Sequence, residues 1–202
     1  MNYSNGKVAG LLIFVAVIQF ILAVIVAEAL YTGYSISDNY LSDLGIGSSS
    51  MIFNSSVFLM GLLLIIGAYF LHRAFKFTLL TATFALTAIG SMGVGIFTKD
   101  ATTIHSITTV IFFLFSGLSA IFAVICSYVH GFKLMEMPFS AIAIILALIE
   151  LGGFPLFVAR INFGLGMGGM QRIVLYPILM WLTAFGGYLM AHPDRPATQK
   201  TQ

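Results

Sequence analysis

Apolar residues in this chain gather into six long runs, each broken from the next by a short polar or glycine-rich stretch. The runs cover residues 8–31, 53–71, 77–97, 106–129, 137–158 and 173–191. A helix needs about 20 mostly apolar residues to cross the hydrocarbon core of a bilayer. Each run therefore predicts a membrane-spanning helix. The fold class expected is all-α, a polytopic transmembrane bundle of six helices. Residues 1–192 form the membrane domain, and 193–202 are read as a disordered cytoplasmic tail.

The first run could be mistaken for a secretion signal, because Lys7 precedes it and Ala27-Glu28-Ala29 resembles a cleavage site. A signal core is roughly 7–15 residues long, whereas the apolar stretch 8–26 runs to 19. It is read as the first spanning helix. Composition agrees with a membrane protein. Charged residues make up 8% of the chain and apolar residues 59%, and mean hydropathy is +1.03. A soluble domain carries about 25% charged residues. The net charge of +2 gives no nucleic-acid surface. One cysteine, Cys126, lies inside an apolar run, so neither a disulfide framework nor a cysteine metal site is available.

Lysine and arginine set the orientation. The N-terminal segment, the second and fourth connections and the tail carry Lys7, Arg73, Lys76, Lys133, Arg195 and Lys200. The other connections carry Lys99, Arg160 and Arg172. This imbalance places both termini in the cytoplasm and gives three outward-facing hairpins. Glu28, Asp38, Asp43, Asp100 and Glu150 then fall on the outer side, with His105, Arg160 and Arg172. Any site is expected to open outward.

Three segments supply candidate chemistry. In the first outer connection Ile36, Tyr40 and Leu44 recur at helical spacing, which predicts a short interfacial helix. Asp38 and Asp43 there are either solvated or turned into the bundle mouth. In the third connection Asp100 precedes His105, close enough to orient its imidazole. His105 heads a stripe with Thr109, Ser116, Ser119 and Cys126 that should face other helices. In the fifth connection Gly164, Gly166, Gly168 and Gly169 precede Gln171 and Arg172. Glycines admit close backbone approach, a helix N-terminus offers N–H donors, and the arginine fork suits phosphate or carboxylate. With Tyr176 one turn on, this reads as an anion site; the alternative pairs Arg172 with Glu150 or Asp100.

Glu28 and Glu150 lie within apolar helices, where an ionisable group is a functional candidate by default. Their alternative roles are neutral acids or partners of Arg160 and Arg172. Gln19 is read as a link between helices. His72, His130 and His192 sit at cytoplasmic helix ends as interfacial residues, and no metal or other cofactor is expected.

Taken in order, Ser42-Asp43-Leu44-Gly45 with Phe53-Asn54, then Gly95-Ile96-Phe97 with Asp100 and His105, then 166–172 ahead of Trp181, resemble the prokaryotic six-helix membrane family called domain of unknown function 998 (DUF 998). The resemblance spans essentially the whole chain. It departs at Gln171, where the family pattern leads us to expect Glu. It implies six helices and directs attention to Asp43, Asp100, His105 and Arg172.

The expected function is a protein of the cell membrane whose outward polar pocket binds a lipid headgroup or small anion. The ligand-binding residues expected are Asp43, Asp100, His105, Glu150, Arg172 and Tyr176. Two alternatives are an outer-leaflet lipid hydrolase or transferase, with His105 as base, and an accessory subunit of a larger membrane complex. Membrane lipids, a small anionic ligand or a membrane-protein partner are the expected partners; nucleic acid is not.

Overall fold

Without water to bond their backbone, the apolar runs must satisfy each N–H and C=O internally, and they do so as helices. The computed structural model describes residues 4–129 and 134–192. Within them lie α1 (Asn5–Leu30), α2 (Ser50–Phe75), α3 (Thr78–Ile96), α4 (Thr102–Val129), α5 (Phe139–Val158) and α6 (Gly166–Ala191). All six are long and apolar enough to cross a membrane, which makes this a multi-pass membrane protein. His130, Lys133 and the tail 193–202 lie outside the described residues.

Each helix packs against its neighbours in sequence, and α1 packs against α6, so the helices form a closed ring. Large side chains fill its middle. Phe84 of α3 meets Phe185 of α6 at 5.7 Å between ring centroids, and Trp181 stacks on Phe185 at 4.7 Å. Trp181 Nε1 donates to Ser119 Oγ on α4 at 3.0 Å. The outside is apolar too, with Leu22, Ile25, Leu79, Leu148 and Met180 all exposed. This distribution suits lipid, because lipid tails leave no reason to hide leucine.

Polar residues inside the ring are satisfied locally or bridge helices. Gln19 Nε2 donates to Ala16 O and to Ser56 O, both at 2.9 Å, and so ties α1 to α2 as expected. The predicted α4 stripe faces inward: Ser116, Ser119 and Cys126 are buried. The ring closes at the termini end where Gly10 and Gly186 touch. A methyl group on Gly10 would lie 2.6 Å from Gly186 O, so only hydrogen allows α1 and α6 to come this close.

Two expectations need correction. The first connection forms no continuous interfacial helix; it holds 3-10 turns at Leu41–Gly45 and Gly47–Ser49. Leu44 is buried while Ile36 is exposed, so the two do not share one lipid-facing stripe. The last helix begins at Gly166, seven residues before the expected 173, so the glycine run forms its first turn. Arg172 consequently lies well inside α6, not at its N-terminus.

Candidate functional site

The connections 31–49, 97–101 and 159–165 gather at one end of the bundle, here the long-loop end. Two polar clusters form there, on opposite sides of the first connection.

The first cluster is built around Arg172. Backbone 36–39 lies directly on the first turn of α6, where Gly168 N donates to Ser37 O at 2.7 Å. A methyl on Gly168 would meet Asn39 O at 2.1 Å, and one on Gly166 would meet Ser37 O at 2.2 Å. The glycines thus admit a strand of the protein's own backbone, whose carbonyls take the place of an anion. Arg172 locks this contact. Its Nη1 donates to Ile36 O at 2.8 Å and Gly168 O at 3.0 Å. Its Nη2 donates to Glu28 Oε1 at 2.5 Å and Tyr34 Oη at 2.7 Å. The guanidinium also lies 5.6 Å from the Tyr34 ring centroid. Burial raises the Tyr34 phenol pKa, and the hydrogen bond from Arg172 offsets part of that rise. Tyr34 therefore stays a neutral phenol.

The second cluster lines a cleft of about 340 Å³ between α4, α5 and the start of α6. Lys99, His105 and Arg160 reach it from three different segments, together with Tyr40, Ser42 and Gln171. Lys99 Nζ pairs with Asp43 Oδ1 and lies 4.3 Å from the centroid of the Tyr40 ring. Asp43 Oδ2 accepts from Tyr40 N at 2.9 Å, so one carboxylate both caps the 3-10 turn and fixes the lysine. His105 Nδ1 lies 2.7 Å from Phe97 O. A carbonyl only accepts, so Nδ1 carries the proton and Nε2 is left as the ring's free acceptor when neutral. Gln171 Oε1 accepts from Leu41 N at 2.7 Å, and its amide nitrogen has no partner among the described residues. Arg160 is exposed, with φ of +61°, an uncommon backbone conformation for a residue with a side chain. Val110, Phe154 and Val158 form the apolar wall.

The expected site residues therefore separate. His105 lines the cleft, and Asp43 reaches it through Lys99. Arg172 faces away from it and binds Glu28, not Glu150 or Asp100. Asp100 is exposed on the third connection, and the Phe97 carbonyl, not Asp100, orients His105. Glu150 is 1% exposed between α4 and α5, where Ser116 Oγ donates to its Oε1 at 2.6 Å. Tyr176 is 41% exposed on the other face of α6, beside Glu28. In the sequence Lys99 and Arg160 stand out as orientation markers, and Arg160 also as a possible partner of Glu28 or Glu150. Their place in the cleft depends on loop geometry, although the pairing of Lys99 with an outer acid had a signal in Asp43. Among the described residues no three His, Cys, Asp or Glu side chains gather as a metal-binding group.

Residues 14–188 match the family model described as "Protein of unknown function (DUF998)". No curated protein and no solved structure matches the chain.

Proposed function

The chain belongs to the DUF998 family of membrane proteins, and we propose that it binds a small anionic group, such as a lipid phosphate, in the cleft formed by Lys99, His105 and Arg160. In this reading the cleft faces outward and both termini are cytoplasmic, as the lysine and arginine imbalance favours.

The observation that carries the reading is the convergence of Lys99, His105 and Arg160 on one largely apolar cleft, with Asp43 the one acid paired to any of them among the described residues. Arg160 brings a planar fork with no ion-pair partner among the described residues. Gln171 and Ser42 add neutral donors, and the Phe154 and Val158 wall can cover the first carbons of an attached chain. Arg172 supports the pocket from behind, by holding the first connection against α6.

The test is calorimetric titration of the detergent-solubilised protein with inorganic phosphate and with a short-chain phosphatidic acid. Arg160→Ala should weaken both by about tenfold, the worth of one charge-assisted hydrogen bond. Arg160→Lys should lose part of that, because the charge stays and the fork goes. Equal affinities in all three proteins would remove the cleft as an anion site.

A further inference from the structure

A second cavity lies on the opposite side of the first connection, between α1 and α6. These helices touch at Gly10 and Gly186 near the termini end. Beyond that contact lies a groove of about 540 Å³, lined by the buried Phe20 and Leu179 and by Ile18 and Ala184. Glu28 and Tyr176 stand at its mouth.

We infer that this groove holds one acyl chain of a phospholipid whose headgroup carries a primary ammonium. Its length matches one leaflet. From Ile18 to Glu28 α1 rises about 15 Å at 1.5 Å per residue, half of the roughly 30 Å hydrocarbon core. The groove lies within the spanning segments, so hydrocarbon is what surrounds it.

Charge selects the headgroup. Glu28 Oε1 is taken by Arg172, and Oε2 has no partner among the described residues. The Glu28 side chain is 22% exposed and that of Arg172 only 7%, so the pair shows its acidic side outward. The Tyr176 hydroxyl adds a donor for the lipid phosphate beside it. An ammonium with N–H donors satisfies Glu28; a choline has none, and a glycerol headgroup leaves the lipid net negative beside the carboxylate.

The experiment is native mass spectrometry of the delipidated full chain, offered phosphatidylethanolamine, phosphatidylcholine and phosphatidylglycerol with identical acyl chains. One phosphatidylethanolamine should be retained about tenfold more strongly than the other two, the effect of one charge-assisted hydrogen bond. Ala184→Trp, a substitution at an exposed position on the groove edge, should abolish that retention. Leu114→Trp, on a different lipid-facing surface, should leave it unchanged. Glu28→Gln should keep a lipid but level the three headgroups. Arg160→Ala, which lies outside the groove, should leave the preference for phosphatidylethanolamine over the other two lipids unchanged, which separates this site from the cleft proposed above. Undiminished retention in Ala184→Trp, or equal retention of the three lipids by the unmodified protein, would overturn the inference. Because Ala184→Trp leaves the Arg172 pair intact, the proposal stays testable even if Glu28 variants fold poorly.

Discussion

Arg172 and Glu28 stand 144 residues apart in sequence, yet their side chains meet at 2.5 Å and join the last helix to the first. The same guanidinium binds Tyr34 and the carbonyl of Ile36, so one residue ties α1, α6 and the first connection together. Four donated hydrogen bonds to four internal acceptors leave this arginine a structural clamp.

Arg172→Ala should therefore destabilise the fold. Removing one member of a buried ion pair costs about 3–5 kcal/mol, and the partial exposure of Glu28 places the loss toward the lower end. Arg172→Lys should recover only part, because an ammonium cannot reach Glu28, Tyr34 and two carbonyls at once. Thermal unfolding in detergent, run as a double-mutant cycle with Glu28→Gln, measures the coupling. Strictly additive effects would show that the two residues do not act as a pair.

Gly168→Ala should push the first connection off α6, because the added methyl would sit 2.1 Å from Asn39 O. Gly187→Ala is the matched control in the same helix: nothing lies within 4 Å of its methyl. There the change should be neutral or stabilising by about 0.5–1 kcal/mol, since alanine loses less backbone freedom than glycine. Hydrogen exchange across residues 34–40 should rise in the first variant and not in the second. Unaltered exchange in Gly168→Ala would contradict the close packing of loop on helix.

Thr109 Oγ1 is buried with no hydrogen-bond partner among the described residues, at the wall between the cleft and a small inner cavity of about 40 Å³. An unsatisfied buried hydroxyl costs roughly 1–3 kcal/mol. Thr109→Val keeps the shape and removes that cost, so unfolding temperature should hold or rise. A clear fall would mean that the hydroxyl is engaged, with a water or ligand as its partner.

Orientation is tested with single cysteines in a Cys126→Ala background. Ser48 is exposed at the long-loop end and Thr78 at the opposite end. A membrane-impermeant maleimide should label Ser48→Cys in intact cells and Thr78→Cys only after permeabilisation. The reverse pattern would turn the cleft to the cytoplasm, and labelling of both from one side would rule out a ring of six spans.

Much of the architecture could be read from the chain. The six spans, the inward stripe of Ser116, Ser119 and Cys126, and Gln19 as a link between helices all follow from hydrophobic length and helical periodicity. The start of α6 did not follow. Glycine is a poor helix former, and Gly166–Gly169 reads as a loop until the first connection is seen resting on it. The docked backbone offsets that local preference by giving Gly168 N–H an acceptor at Ser37 O.

Hydrocarbon and helix geometry are local constraints, so the sequence by itself determined six helices long and apolar enough to cross a membrane and the inward stripe of α4. Closure of the ring is a long-range event, and the tertiary structure alone decided which ionisable groups meet. It set Glu28 of α1 against Arg172 of α6, left Glu150 to Ser116 of α4, and brought Lys99, His105 and Arg160 to one cleft. Chain order could not separate these partners, because Glu28 and Glu150 each lie in an apolar helix near the same end of the bundle. Only the packing of α1 on α6 brings one of them within hydrogen-bonding distance of the arginine.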